Sequence, residues 1–288
     1  MAKIRKAVLP VAGLGTRFLP VTKSVPKELL PLVDRPCLEY IVTEAVDAGI
    51  DELIFVTSRG KDAILDYFDR KPGLEASLEA AGKLDYLNEV VRVASLAEVV
   101  SIRQKQTLGL GHAVLCAAPA TGNEAFAVLL GDDIVDSEKP AIGQLMDVHA
   151  EKGGCVVALL DVPRDQTHRY GICDGSMETN RLMHIKAMVE KPKPEEAPST
   201  YSIVGRYILP PEIHDVLRNT PRGAGGEIQL TDALAVLAER GEAWGLEFEG
   251  KRFDTGNVLG LFDATLHFIQ KRPDLAERAR ELIQKYSD

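Results

Sequence analysis

Short apolar runs alternate with amphipathic segments along most of the chain, and this alternation predicts strands separated by helices. The runs at 7–11, 52–57, 99–103, 126–130 and 155–160 are the strand candidates. Between the first two, Leu38, Ile41, Val42, Ala45 and Val46 recur at three- and four-residue spacing. Pro36 suits the first turn of that helix and Gly49 closes it. Residues 61–68 and 140–152 repeat the helical pattern more weakly, and the Ala/Glu/Leu pattern of 70–95 reads as either helix or mobile lid. Beyond Leu160 the texture changes. Residues 170–174, 182–190 and 202–209 read as strands joined by turns, and helical periodicity resumes at 211–219, 228–240 and 258–271. The last run, 274–285, alternates charged and apolar residues as a surface or packing helix does. The pattern as a whole predicts an α/β fold: a mixed, mostly parallel sheet flanked by helices, a small β extension and a helical C-terminal tail. The Pro-rich stretch 191–200 is too short to serve as a linker between domains, so we expect a single domain over 1–288. Its core is expected to span about 1–257, leaving 258–288 as a helical segment suited to an oligomer contact.

Composition narrows what such a fold can serve. Of 288 residues, 45% are hydrophobic and 27% charged, an ordinary globular balance. With 34 Lys and Arg against 43 Asp and Glu the net charge is −9, so no global field exists to hold nucleic acid or an anionic membrane. A polyanionic ligand would have to be held by a few local cations in a cleft. No apolar run reaches the length of a membrane helix, and the basic, apolar N-terminus stops at Pro10 and Gly13 as a buried first strand would. Cys37, Cys116, Cys155 and Cys173 lie far apart without C-x-x-C spacing, and the six histidines show no H-E-x-x-H pattern. Reduced core thiols in a cytoplasmic protein are the expectation.

The strongest local signal follows the first strand: VAGLGTRFLPVTKSVPKELLP, beginning at Val11. Glycines after a strand let backbone amides approach a ligand. A dinucleotide fingerprint fails here because Phe18 stands at the third-glycine position and Pro20 soon follows; no GK[ST] ending exists for a P-loop. Gly13-Leu14-Gly15 alone would be a plain turn. What raises it is the pair of cations, Arg17 and Lys27, in a proline-punctuated segment, an arrangement suited to a triphosphate whose charge moves to a leaving pyrophosphate.

Four further segments fit the same chemistry. In 103–114, RQKQTLGLGHAV, Gln104 offers a donor and an acceptor to a base edge, and Gly109 and Gly111 leave room for backbone contact; a bare strand–turn–helix junction reads equally well there. In LLGDDIV, Asp132 and Asp133 end an apolar strand, a placement that calls for a compensating cation or hydroxyls. Strand-end acidic residues also occur as plain turn formers, and without the first loop the two readings are even. In VEKPKP, Glu190 can accept from hydroxyls and Lys191 can hold an anion, although EKP is a common exposed turn, and alone that reading prevails. In FDTGN, Asp254 reads either as a helix cap or as a second ligand for a cation at Asp132.

G-x-G-T-R followed by P-K-E resembles the signature of the sugar-phosphate nucleotidyltransferases, which join a nucleoside triphosphate to a sugar 1-phosphate. GLGHAV, VEKPKP with VGRYIL, and GAGGEIQLTDAL followed by FDTGN narrow the resemblance to the bacterial UTP–glucose-1-phosphate uridylyltransferases, over nearly the whole chain. The resemblance implies a Rossmann-like nucleotidyltransferase core, Mg2+ as cofactor, UTP and glucose 1-phosphate as substrates, and a homo-oligomer, dimer or tetramer. Carried over residue by residue, it puts Ala12, Gly13, Leu14, Gly15, Gln104 and Gly109 at the nucleotide. Arg17 and Lys27 go to the triphosphate, and Asp132 and Asp254 to the metal. Asp133, Gly171, Glu190, Lys191 and Val204 go to the sugar phosphate, with Arg17, Lys27, Asp132 and Lys191 as the catalytic set. One departure is Leu108, where many relatives carry lysine. A thymidylyltransferase or other nucleotidyltransferase of the same fold, a non-catalytic nucleotide-sugar-binding regulator, and an NAD-dependent oxidoreductase are the alternatives.

Overall fold

The computed structural model of the chain describes residues 3–286. Among them nine strands form one sheet. Its order, edge to edge, is Glu98–Arg103, Glu52–Thr57, Lys6–Pro10, Phe126–Leu129, Tyr201–Leu209, Cys155–Asp161, Ala243–Glu247, Leu182–Glu190 and Gly171–Met177. The first four are parallel, each joined to the next through helix, as the strand–helix alternation requires. Tyr201–Leu209 then runs antiparallel to both of its neighbours, and the hairpin of 171–177 with 182–190 is antiparallel as well. The parallel arrangement thus holds where helices intervene; in the second half the turn-joined hairpin is antiparallel, while Ala243–Glu247 runs parallel to Cys155–Asp161.

The central strands are apolar on both faces because helices cover both. Ala7, Leu9, Leu53 and Phe55 face one buried cluster with Leu38, Ile41 and Ile142; Val8, Ile54 and Val56 face another with Val114, Leu217 and Leu234. Residues 70–95 form two helices, Pro72–Ala80 and Leu84–Val93, rather than an irregular segment. Two features escaped the pattern reading. Strand Ala243–Glu247 lies inside the sheet, and a separate antiparallel ribbon pairs Asp133–Asp136 with Lys251–Asp254, setting Asp254 opposite Asp133.

The parallel strands all end on one edge. Ala12, Ser58, Gln104 and Asp132 follow the strands ending at Pro10, Thr57, Arg103 and Leu129. Ligands of open α/β sheets bind outside such carboxyl ends. Cross-ties hold that edge together: Gln104 N–H donates to Thr57 O at 2.8 Å, and Ser58 Oγ to Ala12 O at 3.0 Å.

Candidate active site

After the first strand the chain makes a compact loop from Ala12 to Lys27. Gly15 has φ 66°, and its carbonyl accepts from Phe18 N at 3.0 Å and Thr22 Oγ1 at 2.8 Å. A side chain there would meet Lys27 Cβ at 3.1 Å, so the glycine lets the Lys27 stem pass directly beneath the loop. Gly13 and Leu14 are exposed at the tip, Leu14 to 70%. Arg17 is also exposed and lines the cavity described below.

The Lys27 ammonium emerges beside Asp132, with Nζ 2.6 Å from Oδ2. Burial opposes ionisation of Asp132, but the charge and hydrogen bond of Lys27, with Arg252 and Arg17 nearby, outweigh it and hold this carboxyl below its ordinary range. Burial likewise works against the Lys27 ammonium, and Asp132 and Glu28 overcome it, so Lys27 stays charged. Asp133 is in a different environment. It is buried, its Oδ1 takes a hydrogen bond from Arg252 Nε at 2.6 Å, and its Oδ2 lies against the place where a Cβ on Gly205 would be. Gly205, with φ 41°, is therefore needed to seat it. Burial pushes the Asp133 carboxyl upward against the Arg252 charge, so within this coupled pair Asp132 ionises first. The expected sugar contact at Asp133 thus borders the cavity, with its carboxylate already engaged by Arg252.

Asp254 reaches the same place from the ribbon. Thr255 locks the two segments together, N and Oγ1 donating to Asp132 O at 2.8 and 3.0 Å. Asp254 accepts from Gly256 N at 3.1 Å and pairs with Arg169 Nη2 at 3.3 Å. It does not cap the following helix, Val258–Gln270; Asn257 does, its Oδ1 accepting from Gly260 N at 2.9 Å. Asp132 Oδ2 and Asp254 Oδ1 converge on the empty side of Gly256, lying 2.8 and 3.1 Å from where its Cβ would stand. Two convergent carboxylates form an open hard-oxygen set, which suits a magnesium ion that keeps water and phosphate ligands. Among the described residues no group of three or more His, Cys, Asp or Glu side chains forms a closed metal cage.

The other flank of the cleft is built at the end of the 171–177/182–190 hairpin, where Gly171 pairs with Glu190. Thr231 Oγ1 donates to Glu190 Oε2 at 2.6 Å, and Lys191 Nζ lies 3.1 Å from Glu190 Oε1. A side chain at Gly171 would meet Thr231 Oγ1 at 2.7 Å, so glycine is what allows this contact. Lys191 adopts φ 46°, unusual for a residue with a Cβ, and its N–H donates to Tyr170 O at 3.0 Å. Val204 departs from expectation. Its side chain is buried in the core on the other face of the sheet, and the flanking Ile203 and Gly205 line the cavity, as strand alternation demands.

Arg17, Asp132, Asp133, Gly171, Glu190, Lys191 and Asp254 share one cavity of about 550 Å³ with Arg169, Thr231 and Arg252. Gln104 follows strand Glu98–Arg103, and Gly109 precedes helix Leu110–Cys116, whose first residue, Leu110, lines this cavity. The open side of Gly109, φ 98°, is filled by Glu227, whose Cβ would be 2.7 Å from a side chain there. The GLG turn is strapped to 227–229 through Gly111 N to Ile228 O at 2.9 Å and Ile228 N to Leu108 O at 2.7 Å. A side chain at Gly109 or Gly111 would collide with this strap, so both positions require glycine for chain-on-chain packing. Arg252, Arg169 and Thr231 were missed from the sequence. GAGGEIQLTDAL carried the signal for Thr231, but its partner Glu190 lies 41 positions away.

The nucleotidyl transferase family model matches residues 6–271. A UTP–glucose-1-phosphate uridylyltransferase of Staphylococcus epidermidis is 47% identical over 285 residues, 99% of each chain. One from Bacillus subtilis is 49% identical over 278 residues, 96% of this chain and 95% of its own. The structure of a UTP-bound UGPase from Acinetobacter baumannii superposes with a TM-score of 0.91 at 42% identity, covering 99% of this chain and 100% of that one. With the family model spanning the whole sheet and the cleft, this chain belongs to the nucleotidyl transferase family.

Proposed function

We propose that the chain transfers the uridylyl group of UTP to glucose 1-phosphate, giving UDP-glucose and pyrophosphate. The observation that carries this reading is one cavity with cations on both flanks of a carboxylate pair: Arg17 with the Lys27–Asp132 pair on one side and Lys191 beside Glu190 on the other. Such a cleft suits two polyanions that must meet, and the uridylyltransferase names of the relatives supply their identities.

The reaction needs no side-chain nucleophile. An ionised phosphate oxygen of glucose 1-phosphate attacks the α-phosphorus of UTP in line, and the bond to the bridging oxygen breaks with its electron pair leaving on pyrophosphate. In this scheme Lys191 holds the sugar phosphate and Glu190, oriented by Thr231, accepts a sugar hydroxyl. Arg17 and Lys27 meet the triphosphate, and Arg17 neutralises charge as it develops on the leaving group. Asp132 and Asp254 would hold Mg2+, which when bound supplies charge neutralisation shared between the two phosphate groups. Orientation and charge neutralisation carry the catalysis.

We further propose that the protein is cytoplasmic, supplies a sugar donor for polysaccharide synthesis, and self-associates. Its four cysteines are free thiols, and among the described residues no helix is long and apolar enough to cross a membrane. The site assignments are tested by steady-state kinetics. Lys191→Ala should raise KM for glucose 1-phosphate by about tenfold or more while leaving KM for UTP unchanged, the size of one charge-assisted contact. Arg17→Ala should lower kcat instead; normal turnover in that variant would refute its role.

A further inference from the structure

We propose that His112 is a positioning residue that fixes which end of the Gln104 amide faces the base, and that it thereby sets discrimination between uracil and cytosine. The inference rests on the proposed function and on the expectation from the sequence that Gln104 meets the base of the nucleotide.

The Gln104 side chain is buried, with only 5% of the residue exposed. Its Nε2 lies 3.3 Å from the Gly109 carbonyl oxygen and 2.9 Å from His112 Nδ1. A backbone carbonyl can only accept, so the amide nitrogen must be the end that faces Gly109. His112 Nδ1 must then be the acceptor of the second amide hydrogen, and the imidazole proton belongs on Nε2. The surroundings agree with a neutral ring. Burial and the nearby Arg222 charge lower the His112 pKa, against a smaller opposing effect of a hydrogen bond to the Gln106 backbone.

With both amide hydrogens committed, Gln104 presents Oε1, which accepts from no group among the described residues. An acceptor at that point suits the N3–H of uracil and opposes the bare N3 of cytosine. Turning the amide over to suit cytosine would press Oε1 against two acceptors, Gly109 O and His112 Nδ1. The carbonyl is fixed backbone, whereas His112 is the component of the lock that a substitution can remove. The arrangement is blind to a 5-methyl group, so it sets uracil or thymine against cytosine and leaves uracil against thymine to other contacts.

The test compares kcat/KM for UTP and CTP, with glucose 1-phosphate as acceptor, in wild type, His112→Leu and His112→Asn. The proposal predicts that His112→Leu narrows the UTP preference by about tenfold, the size of one lost hydrogen-bond constraint. KM for glucose 1-phosphate should stay unmoved. His112→Asn, whose side-chain oxygen can stand where Nδ1 stood, should recover most of the preference. A UTP preference that survives His112→Leu unchanged, or an equal loss with both nucleotides, would overturn the proposal. Wild-type protein that uses UTP and CTP equally would instead overturn the base-reading role of Gln104. Nitrogen NMR of the histidines in the unmodified protein gives a readout that needs no variant: the proposal requires the Nε2–H tautomer at His112, and an Nδ1–H tautomer would contradict it.

Discussion

Asp132 and Asp133 are neighbours in sequence with separate duties in space, and environment alone divides them. Asp132 points at Lys27 and Asp254, whereas Asp133 is locked between Arg252 and Gly205. Asp132→Asn should therefore fold normally and lose about 10²–10³ in kcat, as expected when a charge aimed at the reacting groups is removed. Steady-state rates alongside a denaturant midpoint separate the two effects. Behind them, Arg206 is fully buried and paired with Glu44 through two hydrogen bonds of 3.0 and 2.7 Å, while its Nη2 also donates to Asp133 O at 2.7 Å. Arg206→Met leaves Glu44 buried without its cation, so we expect a loss of about 3–5 kcal/mol in urea unfolding. A loss under about 1 kcal/mol would mean that Glu44 finds another partner. Arg17, Lys27, Asp132, Glu190 and Lys191 stood out in the sequence because each stands in a short motif with local chemistry, and the folded chain brings them around one cleft. Arg252, Thr231 and His112 were not, because each acts on a partner that only the folded chain brings near.

Among the elements, those built by repetition were readable and those built by pairing were not. Strands 52–57 and 182–190 stand where their apolar runs placed them. The ribbon of Asp133–Asp136 with Lys251–Asp254 joins two four-residue segments more than a hundred positions apart, and no periodicity marks such short pieces. That ribbon is what brings Asp254 to Asp132. Helix Ile213–Asn219 carries a second consequence. Its His214 is buried, stacked on Phe126 at 5.1 Å, and bonded through Nε2 to Thr121 Oγ1 at 2.8 Å. Burial, aided by Arg218, lowers its pKa to about 4. The unfolded chain, with a histidine near 6.5, binds this proton first, so stability from the neutral ring is complete above about 6.5 and is lost as pH falls toward 4. His214→Phe should remove that dependence, on the order of 3 kcal/mol between pH 7 and pH 4. Chemical denaturation of both proteins across this range checks it, and parallel curves would contradict it.

At the scale of the molecule, a chain of net charge −9 gathers its useful cations into one cleft and turns an apolar stripe outward elsewhere. On helix Val258–Gln270, Val258, Leu259 and Phe262 are 61%, 77% and 59% exposed. The proposed self-association would draw on these neighbouring apolar side chains. Sedimentation should show a dimer or larger assembly that the double substitution Leu259→Ser, Phe262→Ser dissociates; a monomeric wild type would refute it. The overall architecture could be read from the alternation of strand and helix, but the balance of parallel and antiparallel pairs could not. Tyr201–Leu209 pairs antiparallel with 126–129 and 155–161, neither of which directly precedes it in the chain, and the apolar runs do not record such pairings.

The central claim is that two polyanions react in the cleft between Arg17 and Lys191. The most direct measurement is pyrophosphate release with glucose 1-phosphate and magnesium, comparing UTP, dTTP, CTP, ATP and GTP. The account predicts rapid release with UTP, with UDP-glucose formed in equal amount. Release with dTTP in preference to UTP would keep the chemistry and overturn the base assignment. No release with any nucleotide, from folded protein, would contradict the account.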